Sequence, residues 1–186
     1  MLRNLCLGVA SMGLALASAF PASLAAQLGS RPAEEWATTL ENGRRLDALA
    51  IDRVVASIGL SPGDVVADIG AGTGIFSVPM AREVAPEGLV LAVEVDAGFL
   101  PIIESKAREN GVDNVQPVLG EFGDPKLPQS VDVAFFHDVL HHIEQRQAYI
   151  MALAQYMSVG SRIVVVDYDM NVEGVPHSNE PAMLIS

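Results

Sequence analysis

A short apolar run that ends in an acid and three alternating glycines constrains the fold of this chain more than any other segment. Residues 65–69 read Val-Val-Ala-Asp-Ile, and glycines follow at 70, 72 and 74. The apolar run predicts a buried β-strand, and the glycines allow a sharp turn and close contact with a ligand because they lack a Cβ. A strand, such a loop and a helix build a cofactor site at the carboxyl edge of a parallel sheet. The candidate residues of this loop are Asp68, Gly70, Ala71, Gly72 and Gly74.

The acid at Asp68 narrows the choice of cofactor. A carboxylate repels a dinucleotide pyrophosphate and attracts a cationic ammonium or sulfonium group. A dinucleotide fingerprint also needs the pattern G-x-G-x-x-G, whereas position 75 is Ile and the pattern here is D-x-G-x-G-x-G. A nicotinamide-dependent oxidoreductase is therefore a disfavoured hypothesis.

Strand-like and helix-like segments alternate along the chain. Apolar runs predict strands, and apolar residues at helical spacing predict helices. The predicted strands cover 65–69, 89–95, 115–119, 131–136 and 163–166, and the predicted helices cover 46–58, 98–110 and 144–157, with another beginning near residue 73. Most of the strands are apolar throughout, which is typical of a parallel sheet covered on both faces. We therefore predict a doubly wound, Rossmann-like α/β domain over 46–169, preceded by a linker over 27–45.

The second predicted strand carries an acid near its carboxyl end. Glu94 interrupts an apolar run, so it is a better candidate for binding the two hydroxyls of a ribose than for an ordinary surface acid. The glycine pattern with its acid resembles the first motif of class I S-adenosylmethionine-dependent methyltransferases, and Val93-Glu94-Val95-Asp96 resembles the second. The resemblance implies that the glycine loop holds the methionine part of S-adenosylmethionine and that Glu94 holds the ribose. It also implies a cofactor contact at Val95.

The resemblance continues after the third and fourth strands. Glu121 and Phe122 stand where the family binds adenine, although the family more often has Asp than Glu at this place. Phe122 is equally well explained as a core residue. His137 ends the fourth strand, where the resemblance implies a position beside the cofactor.

Two histidines follow in a Leu-His-His sequence that also resembles the family. His141 and His142 are interpreted either as part of the acceptor pocket or as structural residues, and one histidine or Asp138 could act as a general base. Adjacent residues of a helix point in different directions, so these two histidines are not expected to share a metal. No metal site and no catalytic residue is predicted.

The first 26 residues are typical of a secretory signal. Arg3 is their one charge, Leu5–Phe20 is largely apolar, and small residues precede Gln27. Cleavage before Ala26 or Gln27 would give an exported protein, periplasmic or secreted. The alternative is an uncleaved membrane anchor over 1–26. Export conflicts with a cofactor that is made in the cytoplasm.

Charge limits the partners of the chain. A formal net charge of −12 disfavours nucleic acid and anionic lipid. The expected partner is a small-molecule methyl acceptor, and membrane contact is expected only if the N-terminal segment stays as an anchor.

The C-terminal part departs from the family pattern. Residues 170–186 include Pro176 and Pro181 and offer no room for the helix and last two strands that usually complete the sheet. The fifth strand would then be an exposed edge that invites self-association. Because the missing region often forms the acceptor site, a non-catalytic cofactor-binding protein is the alternative to a methyltransferase.

Overall fold

The computed structural model describes residues 31–167. The predicted signal or anchor segment (1–26) and the predicted tail (170–186) lie outside the described residues. So do residues 27–30 of the predicted linker and residues 168–169 of the predicted domain. The expected absence of two final strands concerns the same undescribed part of the chain.

A parallel sheet forms the centre of the described domain. Its five strands are β1 (Val65–Ile69), β2 (Leu89–Glu94), β3 (Val115–Leu119), β4 (Val131–His137) and β5 (Met157–Val166). They are arranged in the order β3-β2-β1-β4-β5, and every neighbouring pair is parallel. After β3 the chain crosses over to form β4 on the other side of β1, so the strand order reverses between β1 and β4. Ligands of such folds bind at the carboxyl edge of the sheet beside this reversal.

Helices cover both faces of this sheet. They are α1 (Ala33–Leu40), α2 (Gly43–Leu49), α3 (Ile51–Ile58), α4 (Ser77–Val84), α5 (Phe99–Glu109) and α6 (Arg146–Leu153), with short 3₁₀ turns at Leu140–His142 and Ala154–Tyr156. Alternate residues of each strand point to opposite faces, so Phe135 packs with α3 and α4 while Phe136 packs with α6. The predicted doubly wound α/β fold is confirmed. Within residues 31–167 no helix has the length and apolar character needed to cross a bilayer.

The N-terminal prediction needs two corrections. Much of the predicted linker over 27–45 is helical, because α1 and the first part of α2 lie within it. Ala33 and Trp36 of α1 pack against α5, and this tertiary contact stabilises a helix that the mixed polar sequence did not predict. The predicted single helix over 46–58 is also broken at Ala50, which has a left-handed φ of 46°.

Three other elements differ from their predicted bounds by more than one residue. The chain makes turns from Gly72 to Phe76, and α4 begins at Ser77 instead of Thr73. The helix predicted over 144–157 is shorter, and β5 begins at Met157, before the turn predicted at 159–160. The ladder between β4 and β5 is irregular near Val131, which lets the strand pass through Gly160 at a φ of 99°.

Candidate functional site

The glycine loop is fixed to the neighbouring strand by its own backbone. Gly70 and Ala71 both donate N–H groups to the Val93 carbonyl of β2, over 2.9 and 3.1 Å. Gly70, Gly72 and Gly74 have φ values of 70°, 56° and 81°, which other residues rarely adopt. The loop therefore needs glycine for its backbone conformation as well as for space.

Neighbouring side chains crowd two of the three glycines of this loop. A Cβ added to Gly70 would collide with the Val139 side chain, and one added to Gly72 would lie 3.3 Å from Leu40 Cδ1. Bare backbone at the carboxyl edge of β1 is the feature that a nucleoside cofactor needs for close approach. Gly70 and Gly72 therefore need glycine for space as well as for backbone conformation, whereas Gly74 needs it for its φ alone.

Asp68 lies beneath the loop as a buried acid. It is 2% exposed, and its Oδ2 accepts a hydrogen bond of 2.5 Å from the Ser77 hydroxyl at the start of α4. Burial raises the pKa of Asp68 to about 7, the Ser77 hydrogen bond opposes this increase, and the nearby charge of Glu94 adds to it. A buried carboxylate of this kind is charged most easily when a cation lies against it.

We expect Asp68→Asn to change how stability depends on pH. Between about pH 4 and pH 7 folded Asp68 holds a proton that the unfolded chain releases, so the free energy of unfolding of the wild type decreases as pH rises. The asparagine variant lacks this contribution. Its free energy of unfolding, relative to that of the wild type, should therefore increase by on the order of 2–4 kcal/mol from pH 5 to pH 8. Urea unfolding at both pH values measures the difference.

The exposed acid Asp113 provides the control for this experiment. Asp113→Asn should follow the pH dependence of the wild type. An Asp68→Asn variant that also follows it would show that Asp68 stays ionised in the folded protein.

Glu94 connects the end of β2 to the glycine loop. Its Oε1 accepts the Gly72 N–H at 2.6 Å, and its Oε2 accepts the Val95 N–H at 3.1 Å. Glu94 is 9% exposed. Burial raises its pKa, and these two hydrogen bonds partly oppose the increase. A carboxylate has about four acceptor positions, so both oxygens retain capacity for the hydroxyls of a ribose.

The predicted adenine residues lie in a turn at the end of β3. Glu121 and Asp124 exchange backbone hydrogen bonds of 2.8 and 3.2 Å, and the Glu121 carboxylate lies 3.4 Å from Lys126 Nζ. Phe122 is 50% exposed, so it is not a core residue here. An exposed aromatic ring at this edge is available to stack on a ligand.

His137 ends β4 on the other side of β1. Its ring lies against Phe76, with 4.4 Å between ring centroids. Burial lowers the pKa of His137 and outweighs the opposing effect of the Asp138 carboxylate, so His137 is neutral at pH 7 and able to accept a proton. Asp138 follows with a left-handed φ of 55°, and Arg45 donates to its Oδ2 from two nitrogens at 3.0 and 3.1 Å.

A second cluster of polar side chains lies beyond His137. Within residues 31–167, Asp138, His141 and Asp167 place potential metal-ligand atoms within 4.8 Å of one another. Asp167 Oδ1 lies 2.7 Å from His141 Nδ1, and Arg45 binds Asp138. The His141–Asp167 hydrogen bond joins the segment that follows β4 to the end of β5, and the Arg45–Asp138 ion pair joins the end of β4 to α2.

Two corrections concern the histidine pair. His141 and His142 lie in a 3₁₀ turn, not in a helix, and their ring centroids are 4.0 Å apart. The expectation that adjacent rings diverge is therefore wrong for this segment.

Sequence reasoning missed three residues that contact the site. Leu40 and Arg45 come from helices placed in the predicted linker, and no local motif marks either of them. Ser77 could have been found, since it is the first residue of the helix that follows the loop. Of the predicted residues, the structure joins Asp68, Gly72 and Glu94 at one edge, whereas Glu121 lies in a separate exposed turn.

The fold and the site together define a class I, Rossmann-like domain for a nucleoside cofactor, with acids at the ends of β1 and β2 around a glycine loop. The methyltransferase domain family matches residues 60–183, and the chain belongs to this family.

Known proteins of several kinds are similar to the chain. Arsenite methyltransferase from Halobacterium salinarum is 32% identical over 113 residues, which are 58% of this chain and 28% of that protein. Ubiquinone biosynthesis O-methyltransferase from Klebsiella pneumoniae is 31% identical over 121 residues, which are 64% of this chain and 48% of that protein. The chain thus spans about a quarter to a half of the length of these curated relatives. A solved SAM-dependent methyltransferase from Aquifex aeolicus has the same fold, with a TM-score of 0.70 and 20% identity over 82% of this chain and 80% of that one.

Proposed function

We propose that the protein transfers the methyl group of S-adenosylmethionine to a small-molecule acceptor. The observation that carries this proposal is the hydrogen bond between Gly72 N–H and Glu94, beside buried Asp68. It brings together a buried carboxyl group that a cation would ionise, bare backbone for close approach and an acceptor for the ribose.

Each part of the site then has a role toward the cofactor. Asp68 and the glycine loop would hold the methionine part, Glu94 the ribose, and Glu121 with Phe122 the adenine. When bound, the cofactor would supply a sulfonium-activated methyl group that an acceptor attacks in line, with S-adenosylhomocysteine as the leaving group. The chain contributes mainly by positioning the partners and excluding water.

Proton removal is needed only for acceptors that carry a proton on the attacking atom. His137 is neutral at pH 7 and lies at the carboxyl end of β4, so it is the base that we propose for such acceptors. Asp138 is less suited to this role because Arg45 already binds its carboxylate.

The acceptor class can be tested directly. The similar proteins named above support a small molecule, and arsenite and a hydroxyl-bearing intermediate of ubiquinone biosynthesis are suitable first probes. We expect S-adenosylhomocysteine to form when the protein is incubated with S-adenosylmethionine and at least one acceptor of a chemically varied panel. Cofactor binding without product over the whole panel would favour the non-catalytic alternative.

We also propose that the protein self-associates through β5. Within the described residues β5 is the last strand on its side of the sheet, and Ile163 and Val165 are 38% and 40% exposed. Lysine on an edge strand opposes strand pairing, so Ile163→Lys should convert a dimer to a monomer in sedimentation velocity. Met151→Lys, on an exposed apolar side chain of α6, is the control. A monomeric wild type would contradict the proposal.

Export is a further proposal, supported by the composition of residues 1–26. The intact mass of the protein from the periplasm or medium of a producing cell should correspond to a chain that begins at Ala26 or Gln27. A full-length chain in washed membranes would support the anchor instead, and a full-length chain in the cytoplasm would exclude both.

A further inference from the structure

A groove between α3, α4 and α5 lies apart from the site described above. It has a volume of about 620 Å³ and is lined by residues between Glu41 and Arg53, by α4 with the turn before it, and by the end of α5. A volume of this size holds a small organic ligand. Among the described residues, its lining includes none of those assigned to the cofactor.

Helix α4 separates this groove from the central sheet. Met80 and Val84, one turn apart, are fully buried in the apolar cluster that includes the strands. Val78 and Arg82 are also one turn apart, so they share a different face of the helix, and both line the groove. The groove is therefore a surface of the helices and not an extension of the carboxyl edge of the sheet.

The floor of the groove is apolar. Leu46 of α2, Ile51 of α3 and Ile75 of the turn before α4 line it, together with Val78 and Pro79 of α4. The first three side chains are only partly buried, so they still expose apolar surface to water. An apolar ligand that covers this surface is stabilised by the hydrophobic effect.

Three cations surround the apolar floor. They are Arg53 of α3, Arg82 of α4 and Lys106 of α5. Lys106 pairs with Glu41 over 2.6 Å, so these two charges largely cancel. The two arginines then share the groove with one acid, Asp52. The groove keeps one net positive charge in a chain of net charge −12, and screening by salt makes this local balance decisive at short range.

Both arginines have donors for an anion. Nη2 of Arg82 donates to the main-chain and side-chain oxygens of Asn110, each over 3.2 Å, which holds the guanidinium at the end of α5. Within residues 31–167, Nε and Nη1 of Arg82 make no hydrogen bond, and Arg53 has no acid within 4.0 Å. A guanidinium presents paired N–H groups that match the two oxygens of a carboxylate.

We propose that this groove binds a small amphipathic monocarboxylate of the medium-chain fatty acid type. The carboxylate would lie between Arg53 and Arg82, and the apolar chain would lie on Leu46, Ile51 and Ile75. One net positive charge suits this ligand better than a phosphate monoester, whose charge is about −1.5 to −2 at pH 7. The inference goes beyond the proposed function and does not depend on it, because the groove contains no cofactor residue.

Calorimetric titration of the full chain at pH 7 with octanoate tests the proposal. Octanoate should bind at least about tenfold more tightly than 1-octanol, which has the same chain without the charge. Acetate, which has the charge without the chain, should give no measurable binding. No octanoate binding, or equal affinity for octanoate and 1-octanol, would overturn the inference.

A competition experiment separates this inference from the proposed function. S-adenosylhomocysteine should not displace octanoate, and displacement would overturn the inference because it would place the carboxylate in the cofactor site. A wild type that binds octanoate but not S-adenosylhomocysteine would support the inference and contradict the proposed function alone.

Variants of the two arginines locate the ligand on the chain. Arg53→Met and Arg82→Met should each weaken octanoate binding about three- to tenfold, the size of a charged contact that is partly exposed. Arg108→Met, on an exposed arginine of α5 that does not line the groove, should bind octanoate as the wild type does. Equal losses in all three variants, or no loss in any, would overturn the inference.

An acid in the groove gives an effect of the opposite sign. Asp52→Asn should strengthen octanoate binding about two- to threefold, which loss of folded protein cannot imitate. Asp47→Asn, on an exposed acid of α2 outside the groove, should leave the affinity unchanged. Unchanged affinity in Asp52→Asn, or an equal gain in both variants, would contradict binding in this groove.

Discussion

Gly72→Val should reduce the affinity for S-adenosylhomocysteine by at least about 100-fold, because three separate features of the loop need glycine at this position. Gly72 has a φ of 56°, which a β-branched residue adopts only under strain. A Cβ would press on Leu40, and any shift of the backbone would break the hydrogen bond from Gly72 N–H to Glu94. Calorimetric titration measures the loss, with circular dichroism to establish that the variant is folded.

The matched control separates local strain from loss of the site. Gly111 has a similar φ of 67°, and nothing lies within 4 Å of a Cβ added there. Gly111→Val should therefore suffer comparable backbone strain and still bind S-adenosylhomocysteine with the affinity of the wild type. Equal losses in the two variants would mean that the effect at Gly72 reflects stability alone, and a folded Gly72→Val variant with normal affinity would exclude the loop from the cofactor site.

Glu94→Gln should weaken S-adenosylhomocysteine binding about 30- to 100-fold, which corresponds to the loss of hydrogen bonds to a charged group. Glutamine has one acceptor oxygen where Glu94 uses two, for Gly72 N–H and Val95 N–H. One backbone donor then faces an amide N–H group, and the ribose hydroxyls lose their charged acceptor. Affinities of the folded variant and the wild type give the effect.

A ligand without the ribose hydroxyls identifies the contact that Glu94 makes. The wild type should bind adenosine more tightly than 2′,3′-dideoxyadenosine, and Glu94→Gln should lose most of this preference. Glu104→Gln, on an exposed acid of α5, should retain it. If Glu94→Gln prefers adenosine over 2′,3′-dideoxyadenosine as strongly as the wild type does, Glu94 shapes the loop without binding the ribose.

The strands and the central acids could be predicted because the signals are local. Val65–Ile69 has the predicted bounds, since a largely apolar run between turn residues has few alternatives to a buried strand. Val115–Leu119 also has the predicted bounds, although it contains Gln116 and Pro117 and lies at the edge of the sheet. Glu94 stood out because burial of a charge within such a run is costly unless it has partners. The structure supplies those partners as backbone N–H groups.

The placement of helices α1 and α2 could not be predicted because long-range contacts define it. Arg45 and Asp138 are far apart in the sequence, and no sequence pattern predicts that they pair. Helix α1 has a mixed sequence whose helicity depends on packing of Ala33 and Trp36 against α5. The turn predicted at 159–160 is also wrong, because β5 continues through Gly160, a residue type that usually marks a turn.

Titration calorimetry of the full chain with S-adenosylmethionine, S-adenosylhomocysteine and NAD tests the central claim most directly. The site described here predicts micromolar binding of both adenosyl ligands and no binding of NAD, because Asp68 attracts a cation and repels a pyrophosphate. Binding of NAD, or no heat from either adenosyl ligand with a folded sample, would contradict it.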